Sequence, residues 1–233
     1  MSFPLMPDVN TVLTSNVSIA YTDGSSSSAN SFTYTFSSVG IGAAATDRIV
    51  AVCAAINATS ATTYGISSIT IGGVAATMAV RSSSNKNAAI AYAVIPTGTT
   101  ATIVVTLTGS GTPGRCVVNA YRITGYNNSA PIVASAFSDT AVASVSASIN
   151  VPGGAKAITS VYVGNNGANG FSMTEPFHKV ASYFVGSTSL GCGMSGSAGL
   201  PPTDDPPLPR GTAVATVTPP AAGDISLSVA AWW

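Results

Sequence analysis

The chain has 233 residues, of which 46% are hydrophobic and only 7% charged, against roughly 25% charged in an ordinary soluble domain. Eight Lys and Arg, scattered singly, balance eight Asp and Glu, so no basic stripe exists to displace counterions from a nucleic acid, and nucleic-acid binding is not expected. Disorder is not expected either, because disordered chains combine few aliphatic residues with high net charge; so little charge gives weak self-repulsion and points to hydroxyl-coated surfaces or to assembly with partners.

The N-terminus, Met1 to Asp8, lacks a basic segment followed by a continuous apolar one, so no secretory signal is expected. No apolar stretch approaches the roughly 20 residues of a membrane-spanning helix. Residues 1–30 read as an N-terminal arm, a weak alternating strand at Val17 to Tyr21, and a flexible Asp23 to Ser28 loop. Ser31 to Ser37 then alternates strictly, with Phe32, Tyr34 and Phe36 on one face and Thr33 and Thr35 on the other, which predicts a half-buried strand.

Ile49 to Ile56 is a short, nearly continuous apolar run. Its alanines leave a helix as the competing reading, but its β-branched residues and the Ser/Thr-rich turn behind it favour a core strand. Ser67 to Val80 carries two β-type runs around Gly72-Gly73. Because glycine reaches positive φ without steric cost, that pair reads as a tight hairpin turn. Strands are expected over Asn87 to Ile95, Thr99 to Thr108 and Arg115 to Thr124, with Pro96-Thr-Gly98 as the turn between the first two.

The second half is a loose echo of the first. Val142 to Val151, the turn Pro152-Gly-Gly154, and Lys156 to Val163 repeat the order of alternating strand, glycine turn and apolar strand. Phe177 to Phe184 and Thr188 to Ser195 resemble a further pair. Thr212 to Thr218 and Ile225 to Trp233, around a Pro/Gly turn, resemble the unit around Pro96. The fold class expected is all-β: a two-sheet antiparallel sandwich of jelly-roll type with two loosely similar, intertwined halves. Residues 31–233 form that single domain, with the Pro-rich loop at 200–211 as an exposed polyproline-like excursion.

Catalytic chemistry finds little purchase. The single histidine, His178, would have to serve any Ser/His/Asp arrangement, and Gly193 to Ser197 fails the nucleophile-elbow pattern at its last position. His178 with Glu175 falls short of the three or four ligands of a zinc site. Asp204-Asp205 lacks the alternating acidic pattern of a calcium loop. No catalytic, metal or cofactor-binding residue is assigned, and no cofactor is expected. Cys53, Cys116 and Cys192 are odd in number and widely spaced, which rules out a paired framework and leaves one internal disulfide open. Candidate contacts for a partner or a glycan are Trp233, Pro206, Pro207 and Tyr126. Alternation along the final strand sends one ring of the Trp232-Trp233 pair to the core and the other outward.

Asp47 to Val52, Ser68 to Thr77, Val94 to Val105 and Ser228 to Trp233 together resemble small Ser/Thr/Ala/Val-rich jelly-roll proteins of tailed bacteriophages and prophages. That resemblance implies a virion component such as a capsid decoration, head spike or tail-associated protein, made in the host cytoplasm and lacking catalytic residues. Its partners would be its own copies and phage capsid or tail proteins. A carbohydrate-binding sandwich used for host adsorption on surface glycans, and a hydrolase of sugar polymers, are the readings from other classes.

Overall fold

A computed structural model describes residues 16–57, 65–82, 87–109, 114–164, 171–174, 176–185, 188–195, 208 and 210–233, with only the backbone at 178, 182–185 and 188–195. The described residues form antiparallel strands in four sheets and contain no helix. In the first half, β1 (Ser18–Ser27), β9 (Cys116–Thr124), β3 (Ile49–Ile56), β7 (Ala88–Val94) and β6 (Thr77–Arg81) lie side by side in that order. Facing them are β2 (Thr33–Gly40), β8 (Thr100–Thr108), β4 (Gly65–Ile71) and β5 (Val74–Ala75). The nested pairs β1 with β9, β2 with β8, β3 with β7 and β4 with β5 are the strand order of a jelly roll.

The second half repeats this order. One sheet runs β10 (Ile132–Val142), β17 (Gly223–Trp232), β12 (Lys156–Val163), β15 (Thr188–Ser195) and β14 (Phe177–Val185). The other runs β11 (Val145–Val151), β16 (Gly211–Thr218) and β13 (Ser172–Met173), with no counterpart of β5 among the described residues. The echo in the sequence is therefore a topological repeat. It departs from the expectation in that the halves do not interleave within one pair of sheets: each half has enough strands to close its own. The unit around the Pro219-Pro220 turn also matches β8 and β9 rather than the segment around Pro96.

The layers stack so that the two five-stranded sheets pack against each other. β3 lies against β12, β7 against β17 and β9 against β15, while the edges β6 and β1 meet β10 and β14. This is a pseudo-two-fold arrangement, the internal equivalent of an isologous dimer. It explains the continuous apolar run of β3. Val50, Val52, Ala54 and Ile56 face the first half's own core, while Ile49, Ala51 and Cys53 face Ile158, Ala230 and Trp232 across the join. A strand covered on both faces needs no polar alternation, and the helix reading is excluded. Serine hydroxyls stitch the join: Ser160 donates to the Ala54 carbonyl at 2.9 Å and Ser228 to that of Ala88 at 2.7 Å.

Gly72 and Gly73, at φ +59° and +81°, make the expected two-residue turn, pairing Ile71 with Val74. The run behind it does not stay in one sheet: β5 ends at Ala75, and β6 has crossed to pair with β7. Pro96 to Gly98 is likewise a corner between sheets, since β7 and β8 lie in different ones. Asp23 to Ser27, expected as a flexible loop, belongs to β1. Its Asp23 carboxylate accepts the Gly24 and Gly40 amides, each at 2.8 Å, which ties it to the end of β2. Phe32 precedes β2 and is 39% exposed, whereas Tyr34 and Phe36 are buried as predicted. β10 had no counterpart among the expected strands.

Tyr34 carries a pH prediction. Its hydroxyl donates to the Ala29 carbonyl at 3.1 Å, and burial, the largest cause, pushes its pKa up to about 12. The unfolded phenol ionises near 10, so the stabilisation is complete below about pH 10 and is lost as pH rises through 12. Tyr34→Phe is expected to cost about 1 kcal/mol at neutral pH and to flatten the alkaline decline. Urea midpoints measured from neutral to strongly alkaline pH check both effects; an unchanged slope would count against the assignment.

Candidate functional site

One end of the molecule gathers two of the candidate contacts, Tyr126 and Trp233. Asp47 and Arg48 sit just ahead of β3, Gly125 to Pro131 links the halves, and the C-terminal tryptophans close β17. Arg48 is fully buried. Its guanidinium donates only to carbonyls: Nε to Ile95 at 2.7 Å, Nη1 to Gly42 at 2.7 Å and Ile41 at 3.4 Å, and Nη2 to Thr97 at 2.6 Å. Burial and the neighbouring Arg122 lower its pKa. The planar fork thereby holds two loops at fixed separation, a task that suits arginine rather than lysine. Asp47 Oδ2 accepts the Gly125 amide at 2.9 Å, and Asp47 together with burial, the larger cause, raises the pKa of Tyr126.

The linker is bound to the last strand. Asn127 N–H donates to the Trp233 carbonyl at 2.5 Å, and the Trp232 indole donates to the Ser129 carbonyl at 3.0 Å. Trp232 is fully buried in the join, edge-on to Tyr92 at 6.0 Å between centroids. One ring of the pair was expected to point outward; Trp233 instead packs half-buried against the second half's core. Sheet alternation still separates the two rings, but both faces of this sheet are covered.

Tyr126 and Trp233 thus belong to the same end of the fold, beside the exposed Asn127, Asn128 and Asp47. Half-exposed aromatic rings next to amide and carboxylate groups can stack on and hydrogen-bond a sugar, or seat a partner's apolar side chain. Pro206 and Pro207 lie outside the described residues, as do Glu175, Asp204, Asp205 and the His178 side chain. Leu208, within the Pro-rich loop, is buried and bridges Ala155, so at this residue the chain is no exposed excursion. Cys53 and Cys116 are buried, on opposite faces of their sheet. Burial pushes the Cys116 thiol up, away from the thiolate that attack or metal binding requires. The Cys192 side chain lies outside the described residues.

A shallow cleft of about 330 Å3 is lined by Phe171, Ser172, Thr218, Pro219 and Pro220. The Phe171 ring is itself buried, with Lys179 Nζ 5.6 Å from its centroid, so it offers no open stacking platform. Among the described residues no group of three His, Cys, Asp or Glu could hold a metal ion, and no helix is long and apolar enough to cross a membrane. No family model and no curated protein matches the chain.

Proposed function

We propose that the chain is a non-enzymatic structural protein of a bacteriophage particle, a capsid decoration or other particle-surface component that assembles with its own copies or with capsid or tail proteins. The observation that carries this reading is a charge-poor double jelly roll whose outer sheets turn hydroxyls and amides outward. Thr33, Thr35, Thr102, Ser146, Ser148 and Asn150 are all exposed. Jelly rolls serve as capsid and lectin modules alike, and fold likeness is an analogy rather than a mechanism. The resemblance of Asp47 to Val52, Ser68 to Thr77, Val94 to Val105 and Ser228 to Trp233 to phage proteins inclines the choice toward the particle. Gradient sedimentation of a phage lysate from the producing strain, probed with antibody to the chain, tests it. The chain is expected in the particle peak and should stay there after a salt wash. Recovery only in the soluble fractions would overturn the reading.

The Tyr126 and Trp233 end favours a second reading, a carbohydrate-binding module used in host adsorption. A glycan array that stays blank across bacterial polysaccharides would remove it.

A further inference from the structure

Strand edges invite pairing with other chains unless they are short, charged or bulged. Most edges here carry such protection. β1 is broken by a bulge at Thr22, next to Asp23. β2 is broken between Phe36 and Val39, where Ser38 sits at φ +57°. β6 has a bulge and ends in Arg81, and β14 shifts register beside Lys179. β5 and β13 span two residues each. β11 is unbroken but turns Ser146, Ser148 and Asn150 outward.

β10 carries its irregularity and its charge, Asp139, only beyond Ser138. The seven residues before them, Ile132 to Ser138, keep unbroken register with β17, contain no charge, proline or glycine, and expose Val133 at 41% and Phe137 at 44%. Its pseudo-symmetric counterpart, β1, is guarded by its bulge and Asp23 at the matching edge.

We propose that two copies of the chain pair through β10, antiparallel about a two-fold axis at Ser135. The strand is self-complementary about that residue. Val133 falls opposite Phe137 of the partner subunit, and Ala134 falls opposite Ala136 of the partner subunit. The exposed face then forms two aromatic to β-branched cross-strand pairs, a favourable combination, while alanines meet on the other face. Zero net charge leaves the two copies without mutual repulsion, and the two-fold closes the assembly as a dimer rather than a filament. The new pairing extends a five-stranded sheet into a ten-stranded one. Its apolar face is continuous with the join between the halves, where β10 lies against β6. This inference deepens the particle reading by naming its self-association surface, and rests only on that part of it.

Sedimentation velocity on the full chain across the micromolar range tests the proposal. The wild type is expected to be dimeric. V133K and F137K should raise the dimer dissociation constant about tenfold or more, the equivalent of about 1.4 kcal/mol, with unchanged circular dichroism. V74K, at an exposed valine on β5, should leave the dimer intact. S135C should form a disulfide-linked dimer under mild oxidation, since residues facing each other across antiparallel strands lie within disulfide reach; S148C should not. If the lysine variants misfold, S135C cross-linking decides. A monomeric wild type, folded lysine variants that stay dimeric, or an S135C dimer that does not cross-link would each overturn the proposal. A monomer that still sediments with particles would overturn this surface alone, and a dimer that never does would overturn the particle reading alone.

Discussion

Arg48→Ala is expected to lower the unfolding free energy by about 3–5 kcal/mol, because it strands carbonyls that have no other charged donor and opens a cavity between two loops. The Gly42, Ile95 and Thr97 carbonyls each lose a charge-assisted bond of 2.6 to 2.7 Å. A carbonyl left unpaired away from water costs about 1–3 kcal/mol; the exposure of Thr97 and relief from desolvating the guanidinium offset part of the total. Arg48→Lys should recover less than half, since a point charge cannot reach carbonyls on both loops at once. Urea unfolding followed by tryptophan fluorescence reads both variants. A loss below about 1 kcal/mol in the alanine variant would mean that the loops hold themselves.

The second large effect lies in the join. Trp232→Ala is expected to cost about 3–5 kcal/mol, as for other buried aromatic truncations. The cavity falls between the two inner sheets rather than inside either half's own core, so the loss should also uncouple the halves. Circular dichroism would then show two transitions where the wild type shows one. Trp232→Phe keeps most of the apolar volume and loses the bond to the Ser129 carbonyl, at about 1–2 kcal/mol. A single cooperative transition in the alanine variant would show that the serine bonds of Ser160 and Ser228 suffice to hold the halves together.

Strands with a local signature were legible from the sequence. β3 announced itself by β-branched content, β8 and β16 by alternation, and the Gly72-Gly73 turn by its need for positive φ. What was not legible depends on partners remote in the chain. Nothing between Val74 and Val80 says that the strand must change sheets after Ala75, because that crossing is set by the closure of the jelly roll. β10 escaped notice because Val133 and Phe137 put large apolar residues on the face opposite Ile132, which blurs its alternation. One ring of the Trp232-Trp233 pair was expected to face outward because one side of a terminal strand normally meets solvent; here β17 is covered on both sides. Arg48 was read only as a charge breaking the apolar stretch ahead of Ile49 and as part of a resembling stretch. A lone arginine opening an apolar run is the signal that could have marked it as a buried staple. Of the candidate contacts, Tyr126 and Trp233 share one end of the fold, a proximity that no spacing in the sequence encodes.

The covering of both inner sheets also sets an order of events at the ribosome. Residues 18–124 can close their own core as they emerge, but the face carrying Ile49, Ala51, Ile90, Tyr121 and Ile123 receives its cover from the second half, chiefly from Ile158, Ala230 and Trp232 with Val180 and Ala181 at its margin. At about 5–20 residues per second, that sticky face waits roughly 5 to 20 s for the last strand to be translated. During that interval a nascent chain is open to mispairing with the same face on a neighbouring polysome product, and the hazard ends only when β17 slides home between both cores.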